Sequence, residues 1–540
     1  GVPMYWQGID DSARTALCPV VVQPRHIVRE TAEMGEAAAD ARRQRRQRRL
    51  AWRERLVQGT RRGAAAGPLL TAAAAAPALA ALVAGSLAPG WFGQAVQRWR
   101  EQIDGKVATR LQLTASAAAE VTPETPQTPI YSSHRRRPVS SASASLDSGL
   151  RRNDDSEINQ HPPGAGAMTD TPQEGFTDDE QAARVETFLR MIGLTGRFAP
   201  LVLMLGHGSG SRNNPHLSAY DCGACSGRHG GPNARAFAAM ANRPEVRARL
   251  AASGLPIPET TWFVAAEHNT CDDGIEWYDL DRLPAPFQSA QEQLLGQLAE
   301  ACRAHAAERC RRLASAPLRP SPWLARQHVV GRGHDISQAR PELGHATNAA
   351  AFIGRREMSR GLFLDRRVFL ISYDPSCDDD GGIVENILLA AGPVGAGISL
   401  EYYFSTVDNE RYGCGSKVTH NLTGLFGVME GADSDLRTGL PWQMVEIHEA
   451  MRLLVVVEQT PEVLTAIVAR QPALQELIGN GWIVLAAKNP STATIDLHCP
   501  RRGWLPWAGG GVLPQVGHSA DWFAGESDAL APAVVLRGMP

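Results

Sequence analysis

The feature that most constrains the fold is a short apolar run, residues 201–205, that stops abruptly in the glycine-rich sequence GHGSGS. A short leucine-rich run that ends in glycine predicts a buried strand that leaves its sheet into a loop. In open α/β sheets, ligands bind at the carboxyl ends of the strands. The sequence therefore predicts a functional site just after this strand, around His207.

A second apolar run predicts a neighbouring strand. Residues 259–267 are rich in β-branched and aromatic side chains, and they are followed directly by His268, Asn269 and a polar loop. Two strands that both end in histidine-bearing loops suggest adjacent parallel strands that share a cleft. We therefore expect His207 and His268 to lie near each other.

The remaining sequence alternates short apolar segments with helical ones, which favours an α/β architecture. The predicted fold class is α/β, with a mainly parallel sheet core, added helical segments and a disordered insertion. Further strands are predicted at residues 368–374, 398–404, 453–457 and 482–486, and helices at 32–57, 233–249 and 283–313.

The length of 540 residues exceeds that of a usual single core, so several folding units are expected. Residues 123–168 are dominated by Pro, Ser and Arg without an apolar period, which predicts disorder. The predicted division is an N-terminal region at 1–122, this insertion at 123–168, an α/β zinc-site region at 169–320 and a C-terminal α/β region at 321–540.

The charge distribution suggests a surface that meets a membrane or a partner. Six arginines crowd residues 42–49, and residues 63–96 carry no charge. An Arg-rich helix followed by a weakly apolar, Ala-rich segment favours peripheral attachment to an anionic membrane over a membrane span, although a solvated helix face is the plainer alternative. Nucleic acid is disfavoured, because no aromatic residues interleave with the arginines. Nine cysteines without regular spacing indicate a reducing, cytoplasmic environment.

The loop after residue 205 contains five candidate metal ligands. Imidazole and thiolate are the ligands that zinc prefers, and the surrounding glycines would permit a tight path that aims His207 into a cleft. The alternative is that His207 caps the strand while Cys222 is an inert buried thiol. These candidates are His207, His216, His229, Cys222 and Cys225, whereas the isolated Cys18 and His26 are interpreted as structural.

Other interpretations of this loop fit less well. A serine-hydrolase elbow needs Gly two residues before Ser209, where His207 stands. A phosphate-binding loop would need a following Lys-Ser/Thr pair, which is absent from the sequence here. Cys222 and Cys225 form a CxxC motif that could be a redox pair, but such a site has no use for a glycine-framed His207.

Four long segments resemble the DabA family, the large soluble subunit of the bacterial energy-coupled inorganic carbon pump. The resemblance covers nearly the whole chain except the insertion, and it implies an active site similar to that of β-carbonic anhydrases. Zinc would be held there by two cysteines, an aspartate and a histidine, and the partner would be DabB, a membrane subunit related to proton-translocating antiporters. The segments are LGHGSGSRNNPHLSAYDCGACSGRHGGPNAR, EHNTCDD, GISLEYYFSTVDNERYGCGSKVTHNLTGLFGVMEG and DLRTGLPWQMVEIHE.

Transferred onto this sequence, the resemblance implies that His207 and Cys222 are zinc ligands. It leaves Cys225, His216 and His229 as neighbours. The family's other cysteine and its aspartate lie in an upstream Cys-x-Asp-x-Arg motif that these 540 residues do not contain. The implied interpretation is a C-terminal fragment with half of a zinc site, which would bind zinc poorly and lack hydratase activity alone.

The implied function is zinc-dependent, directional hydration of CO2 to bicarbonate, driven through DabB at the cytoplasmic side of the inner membrane. Two alternatives remain open. One is a non-catalytic membrane-docking or scaffold subunit. The other is a CxxC redox protein, in which Cys225 would matter as much as Cys222.

Overall fold

The computed structural model describes most of the chain outside a few segments. The predicted insertion at 123–168 lies outside the described residues, as do Cys222 and His216. The described residues are 2–11, 13–18, 24–59, 75–77, 79–81, 83–85, 87–105, 107–115, 172–210, 221, 225, 227–335, 337–342, 348–418, 439–446, 448–449 and 451–536.

The chain begins with a five-stranded mixed sheet. Its strand order is β2-β1-β3-β4, and β5 also pairs with β3. The predicted basic helix is confirmed as α1, and a second helix, α2, follows it. The elements are β1 (Met4–Gln7), β2 (Thr15–Leu17), β3 (His26–Ala32), α1 (Glu36–Gly59), α2 (Pro89–Asp104), β4 (Thr109–Gln112) and β5 (Gln173–Glu174).

Part of the basic face of α1 is used inside the protein. The guanidinium of Arg42 donates to both carboxylate oxygens of Asp10 at 2.7–3.0 Å, and Arg46 lies 3.6 Å from the same carboxylate. These two arginines therefore fasten α1 to the loop after β1, as does Arg43, whose Nη1 donates to the Ile9 carbonyl at 3.3 Å.

The next unit carries the predicted site. The order β6-β7-β8 forms a three-stranded sheet in which β6 and β7 are parallel and β8 is antiparallel. The predicted helix at 233–249 is divided into two, because Pro244 starts a new helix where it cannot donate a backbone hydrogen bond. The elements are α3 (Asp178–Met191), β6 (Leu201–Gly208), α4 (Gly231–Ala241), α5 (Pro244–Ala252), β7 (Trp262–Asn269) and β8 (Gly274–Tyr278).

One hydrophobic core joins the first sheet to this unit. Met4 and Val28 from the first sheet belong to the same buried cluster as Met240 of α4 and Phe263 of β7. The buried Arg235 of α4 adds a polar connection, because it binds Glu30 of β3 at 2.7 Å and Asp279 after β8 at 2.6 Å. The strand that carries His207 thus packs against a core built from the first sheet and from its own unit.

The C-terminal part contains a six-stranded sheet of order β11-β9-β12-β13-β14-β15, with four parallel strands followed by two antiparallel ones. A small sheet of order β10-β17-β16 lies apart from it. The elements are α6 (Gln288–Cys310), α7 (Pro322–His334), β9 (Ala350–Gly354), β10 (Leu362–Phe363), β11 (Val368–Ser372), α8 (Gly382–Val407), α9 (Asn409–Tyr412), α10 (Trp442–Val445), β12 (Leu454–Val457), α11 (Pro461–Arg470), α12 (Pro472–Gly479), β13 (Val484–Lys488), β14 (Ile495–Cys499), β15 (Gly503–Pro506), β16 (Gln515–Val516), α13 (Ser519–Phe523) and β17 (Ala533–Val535).

The predicted strand at 398–404 is wrong, because these residues lie inside α8. A short apolar run has no periodicity that separates a strand from a buried helix. The helical period appears only over the whole element, whose buried positions follow one another every three or four residues, as at Leu388, Gly392, Ala396, Ser399 and Tyr402.

Helix α8 is also the one helix among the described residues that is long and apolar enough to cross a membrane. Only 33% of its most apolar window is buried within the protein. A core helix of a soluble protein meets the same criterion of length and composition.

Candidate functional site

The candidate site is the edge where β6 and β7 end, formed by residues 207–210 and 268–273 and called the strand edge below. His207 and His268 are direct partners in the parallel register, so both side chains leave the same face of the sheet. The two following loops are tied together. The Thr270 N–H donates to the Gly208 carbonyl at 2.9 Å, and the Gly210 N–H donates to Asn269 Oδ1 at 2.8 Å. The prediction of neighbouring parallel strands with a shared edge is confirmed.

Gly206 has a different role from the one predicted. The strand continues through Gly208, so the glycine does not form a turn. A Cβ on Gly206 would lie 2.5 Å from the backbone of Gly230 and Gly231, and the Gly230 N–H donates to the His207 carbonyl at 2.7 Å. The glycine lets the start of α4 pack directly on the strand and hold His207 in place.

His229 lies at the start of α4 between two carboxylates. Its Nδ1 is 2.6 Å from Glu267 Oε1, and its Nε2 is 3.7 Å from Asp221 Oδ2. The hydrogen bond with Glu267 raises the pKa of His229, and the charge of Asp221 adds to the effect. The geometry therefore engages His229 in ion pairs beside the strand edge.

A buried cluster at the strand edge is centred on Asp273, whose side chain is 1% exposed. The carboxylate contacts His268 Nε2 at 3.0 Å and His305 Nδ1 at 2.9 Å, and it pairs with the fully buried guanidinium of Arg309. Although burial opposes ionisation, these hydrogen bonds and the Arg309 charge hold the pKa of Asp273 well below its usual range. The cluster fixes the ring of His268, the strand partner of His207.

Arg309 also connects two stretches of backbone. Its Nη1 donates to the carbonyls of Thr270 at 3.1 Å and Cys271 at 3.3 Å, which belong to the strand edge, and to that of Pro341 at 3.3 Å. One buried side chain of α6 thus positions both the loop after β7 and the segment around residue 341.

The pKa of His305 gives a testable pH dependence. Burial, reinforced by the charges of Arg366 and Arg309, lowers the pKa of His305 to about 4 from 6.5. Since the unfolded chain then binds a proton more readily than the folded one, His305 destabilises the fold as pH falls from 6.5 towards about 4. We expect the thermal midpoint of His305→Gln to fall less steeply over this range than that of the unaltered chain, measured by differential scanning calorimetry.

His229→Gln is the matched control for this experiment, because the shift has the opposite sign. The raised pKa of His229 stabilises the fold below its unfolded value and is lost as pH rises through the folded value. Its removal should therefore make the acid decline steeper. Parallel pH profiles for His305→Gln and the unaltered chain would contradict the assignment.

Of the two predicted zinc ligands, the structure places His207 at the strand edge, and Cys222 lies outside the described residues. Cys225 is buried, and its Sγ is 3.7 Å from that of Cys18. Within the described ranges, no group of three His, Cys, Asp or Glu side chains could hold a metal ion. The described residues thus supply one predicted zinc ligand, the imidazole of His207, and do not complete a zinc site.

Two cavities among the described residues lie away from this site. A cavity of about 450 Å³ is lined by residues of α8 and its surroundings, including Glu401 and Tyr412. Another of about 160 Å³ is lined by apolar residues between α8 and the C-terminal sheet. Neither lining includes a residue of the strand edge, so the assignment rests on chemistry and topology.

Comparison with known proteins identifies the family. The sequence profile described as "Probable inorganic carbon transporter subunit DabA" matches residues 1–483. The chain belongs to the DabA family. No solved structure matches the chain, so the likeness to the β-carbonic anhydrase fold stays a prediction.

Curated relatives with the same description agree. The chain is 69% identical over 540 residues to a protein of Dechloromonas aromatica (100% of this chain, 49% of the relative). It is 54% identical over 537 residues to one of Methylococcus capsulatus (99% and 46%), and 47% identical over 536 residues to one of Sorangium cellulosum (99% and 48%). The chain spans about half the length of these relatives.

Proposed function

We propose that the chain serves inorganic carbon transport by supporting zinc-dependent hydration of CO2 to bicarbonate at the strand edge, with His207 and Cys222 as zinc ligands. The observation that carries the proposal is the position of His207 at the carboxyl end of a parallel strand pair, where α/β sheets bind ligands. A DabB-type membrane subunit would couple hydration to a cation gradient, with the chain bound peripherally at the cytoplasmic face of the inner membrane.

The contacts of Asp221 support the pairing of His207 with Cys222. Asp221 immediately precedes Cys222 in the sequence, and its Oδ1 accepts the N–H of Ser209 at 3.0 Å. Ser209 is two residues from His207. Consecutive Cα atoms lie about 3.8 Å apart. The hydrogen bond therefore anchors Asp221, which precedes the predicted ligand Cys222, to a backbone position only two residues from the predicted ligand His207.

The chemistry divides between the metal and the protein. His207 and Cys222 would hold the zinc, which would supply a water of lowered pKa able to attack CO2. The residues of this chain supply rigidity: the Gly230 N–H fixes the His207 carbonyl, and the Asp273 cluster fixes the His268 ring. A ligand held by packed strands and buried hydrogen bonds keeps its geometry without further ordering.

The two alternatives predict different residues to be essential. A docking or scaffold subunit would tolerate loss of His207 but not loss of the arginines at 42–49 or of the apolar residues at 69–87, of which 69–74, 78, 82 and 86 lie outside the described residues. A redox protein would need Cys225 as much as Cys222. The buried contact of Cys225 with Cys18 favours a packing role for Cys225 instead.

The cysteines provide the test that separates these functions. The full-length background is this chain in place of the matching part of the Dechloromonas aromatica relative, produced with a DabB-type subunit in a host without carbonic anhydrase. We expect Cys222→Ser to abolish growth in air and Cys225→Ser to retain it, because only the first removes a zinc ligand. Equal loss of growth in both variants would support the redox alternative, and normal growth of Cys222→Ser would contradict the zinc site.

A further inference from the structure

Glu342 connects the two strand ends through a single carboxylate oxygen. Its Oε1 accepts the hydroxyl of Ser209 at 2.6 Å and that of Thr270 at 3.3 Å. Ser209 directly follows β6, and Thr270 directly follows β7. A residue far away in the sequence thus collects the hydroxyl groups on both sides of the strand edge.

The segment that carries Glu342 is fixed by buried arginines. Arg309 donates to the Pro341 carbonyl at 3.3 Å, and Arg332 Nε donates to the Ala339 carbonyl at 3.1 Å. Both guanidinium groups belong to buried residues. The carboxylate of Glu342 is therefore held at the strand edge by rigid neighbours and not by chance contact of a mobile side chain.

The burial of the second oxygen of this carboxylate does not stabilise the fold. Glu342 Oε2 is buried and has no hydrogen-bond partner among the described residues. A buried acceptor without a partner is unfavourable for folding, and such atoms in native proteins need a separate explanation. Glu342 therefore needs a role beyond stability, and its other oxygen, Oε1, supplies one through its contacts with Ser209 and Thr270.

The hydrogen bonds also fix the polarity of the hydroxyl groups. A hydroxyl has one proton to donate and two lone pairs to accept with. The Ser209 proton is directed to Glu342, and the Thr270 proton lies between Glu342 Oε1 and the Gly208 carbonyl, both at 3.3 Å. Towards any third group, these two oxygens can therefore act only as acceptors. Ser209 is buried, whereas Thr270 is half-buried and is the more accessible of the two.

We propose that Glu342 is a positioning residue that makes the strand edge selective for oxygen species with an O–H group, namely water and the hydroxyl of bicarbonate. The oxygens of an anion such as nitrate can only accept hydrogen bonds. They would face the lone pairs of the Ser209 and Thr270 oxygens, so such an anion is rejected. This inference rests on the proposed function and specifies how the same site would recognise water and the bicarbonate product. The selectivity comes from the direction of the hydrogen bonds. A ligand that brings no proton leaves the acceptors of the site unpaired, which is strongly unfavourable.

The test uses the full-length background with Glu342→Gln and Thr270→Val, which are close in shape to the original residues, and Glu385→Gln as a control on the distant α8. Three quantities are measured: bound zinc, the thermal midpoint, and uptake of labelled inorganic carbon with and without nitrate. In Glu342→Gln we expect unchanged zinc, about tenfold lower uptake and about tenfold stronger inhibition by nitrate, because the amide can turn its NH2 donor towards the two hydroxyl oxygens, whose protons then turn to the anion. Thr270→Val should lower uptake with unchanged zinc but without stronger nitrate inhibition, since it has no hydroxyl proton to offer. Glu385→Gln should match the unaltered protein.

The outcomes separate this inference from the proposed function. Wild-type uptake and nitrate sensitivity in Glu342→Gln, with uptake lost in His207→Ala, would overturn the role of Glu342 and leave the zinc site standing. Lower uptake with unchanged nitrate sensitivity would also overturn it, because a purely structural role predicts that result. If Glu342→Gln does not fold, Thr270→Val decides: normal uptake in that variant contradicts the inference. Normal uptake in His207→Ala would overturn both proposals.

Discussion

Replacing His207 by alanine in the full-length background should abolish growth in air of a host without carbonic anhydrase and weaken zinc binding by at least about 100-fold. The physical reason is that the substitution removes an imidazole ligand at the strand edge while the strand itself remains. The backbone contacts there, from Gly230 to the His207 carbonyl and from Thr270 to the Gly208 carbonyl, do not involve the lost ring. Growth, labelled-carbon uptake and bound zinc are the measurements.

The control for this prediction is His518→Ala, which removes an imidazole from an exposed helix cap in the C-terminal part. It should leave growth and zinc unchanged. If His207→Ala supports growth as well as His518→Ala does, the docking or scaffold alternative is favoured over the zinc site.

The largest stability effect is expected for Arg309→Met. The variant leaves the carboxylate of Asp273, 1% exposed, without its guanidinium partner, and it removes the donor to three backbone carbonyls. Breaking a buried ion pair from one side costs about 3–5 kcal/mol, because an uncompensated charge stays buried. Thermal or denaturant unfolding of the chain would measure this loss.

Two further variants sharpen the interpretation. Arg470→Met removes an exposed ion pair with Glu385 and should change stability little, since such pairs are screened by solvent. The double variant Arg309→Met with Asp273→Leu should recover part of the loss, because it removes the stranded charge as well. A single variant Arg309→Met as stable as the unaltered chain would show that the cluster is not what holds the loop after β7.

The sequence was most informative where local pattern and topology agree. Two apolar runs that each end at a histidine predicted parallel neighbours, and the register pairs His207 directly with His268. Strand-to-loop transitions are local signals, so they can be detected without knowledge of the fold. The family resemblance then supplied specific residue roles that the pattern alone left open.

The supporting residues could not be predicted because they come from distant parts of the chain. Glu342 reaches Ser209 across 133 positions, and Arg309 reaches Asp273, in the turn after β7, from helix α6. One weak signal was available: His305 and Arg309 are four residues apart and so share a helix face. The role of Gly206 was misjudged for the same reason, since its close neighbour is the backbone of Gly230 and not a turn of its own loop.

The most direct test of the central claim is the zinc content of the full-length background, measured by mass spectrometry of the purified protein and compared with that of His207→Ala. We expect about one zinc per protein in the unaltered form and less than about a tenth of that in the variant. Equal zinc in both proteins would contradict the claim that His207 binds the metal.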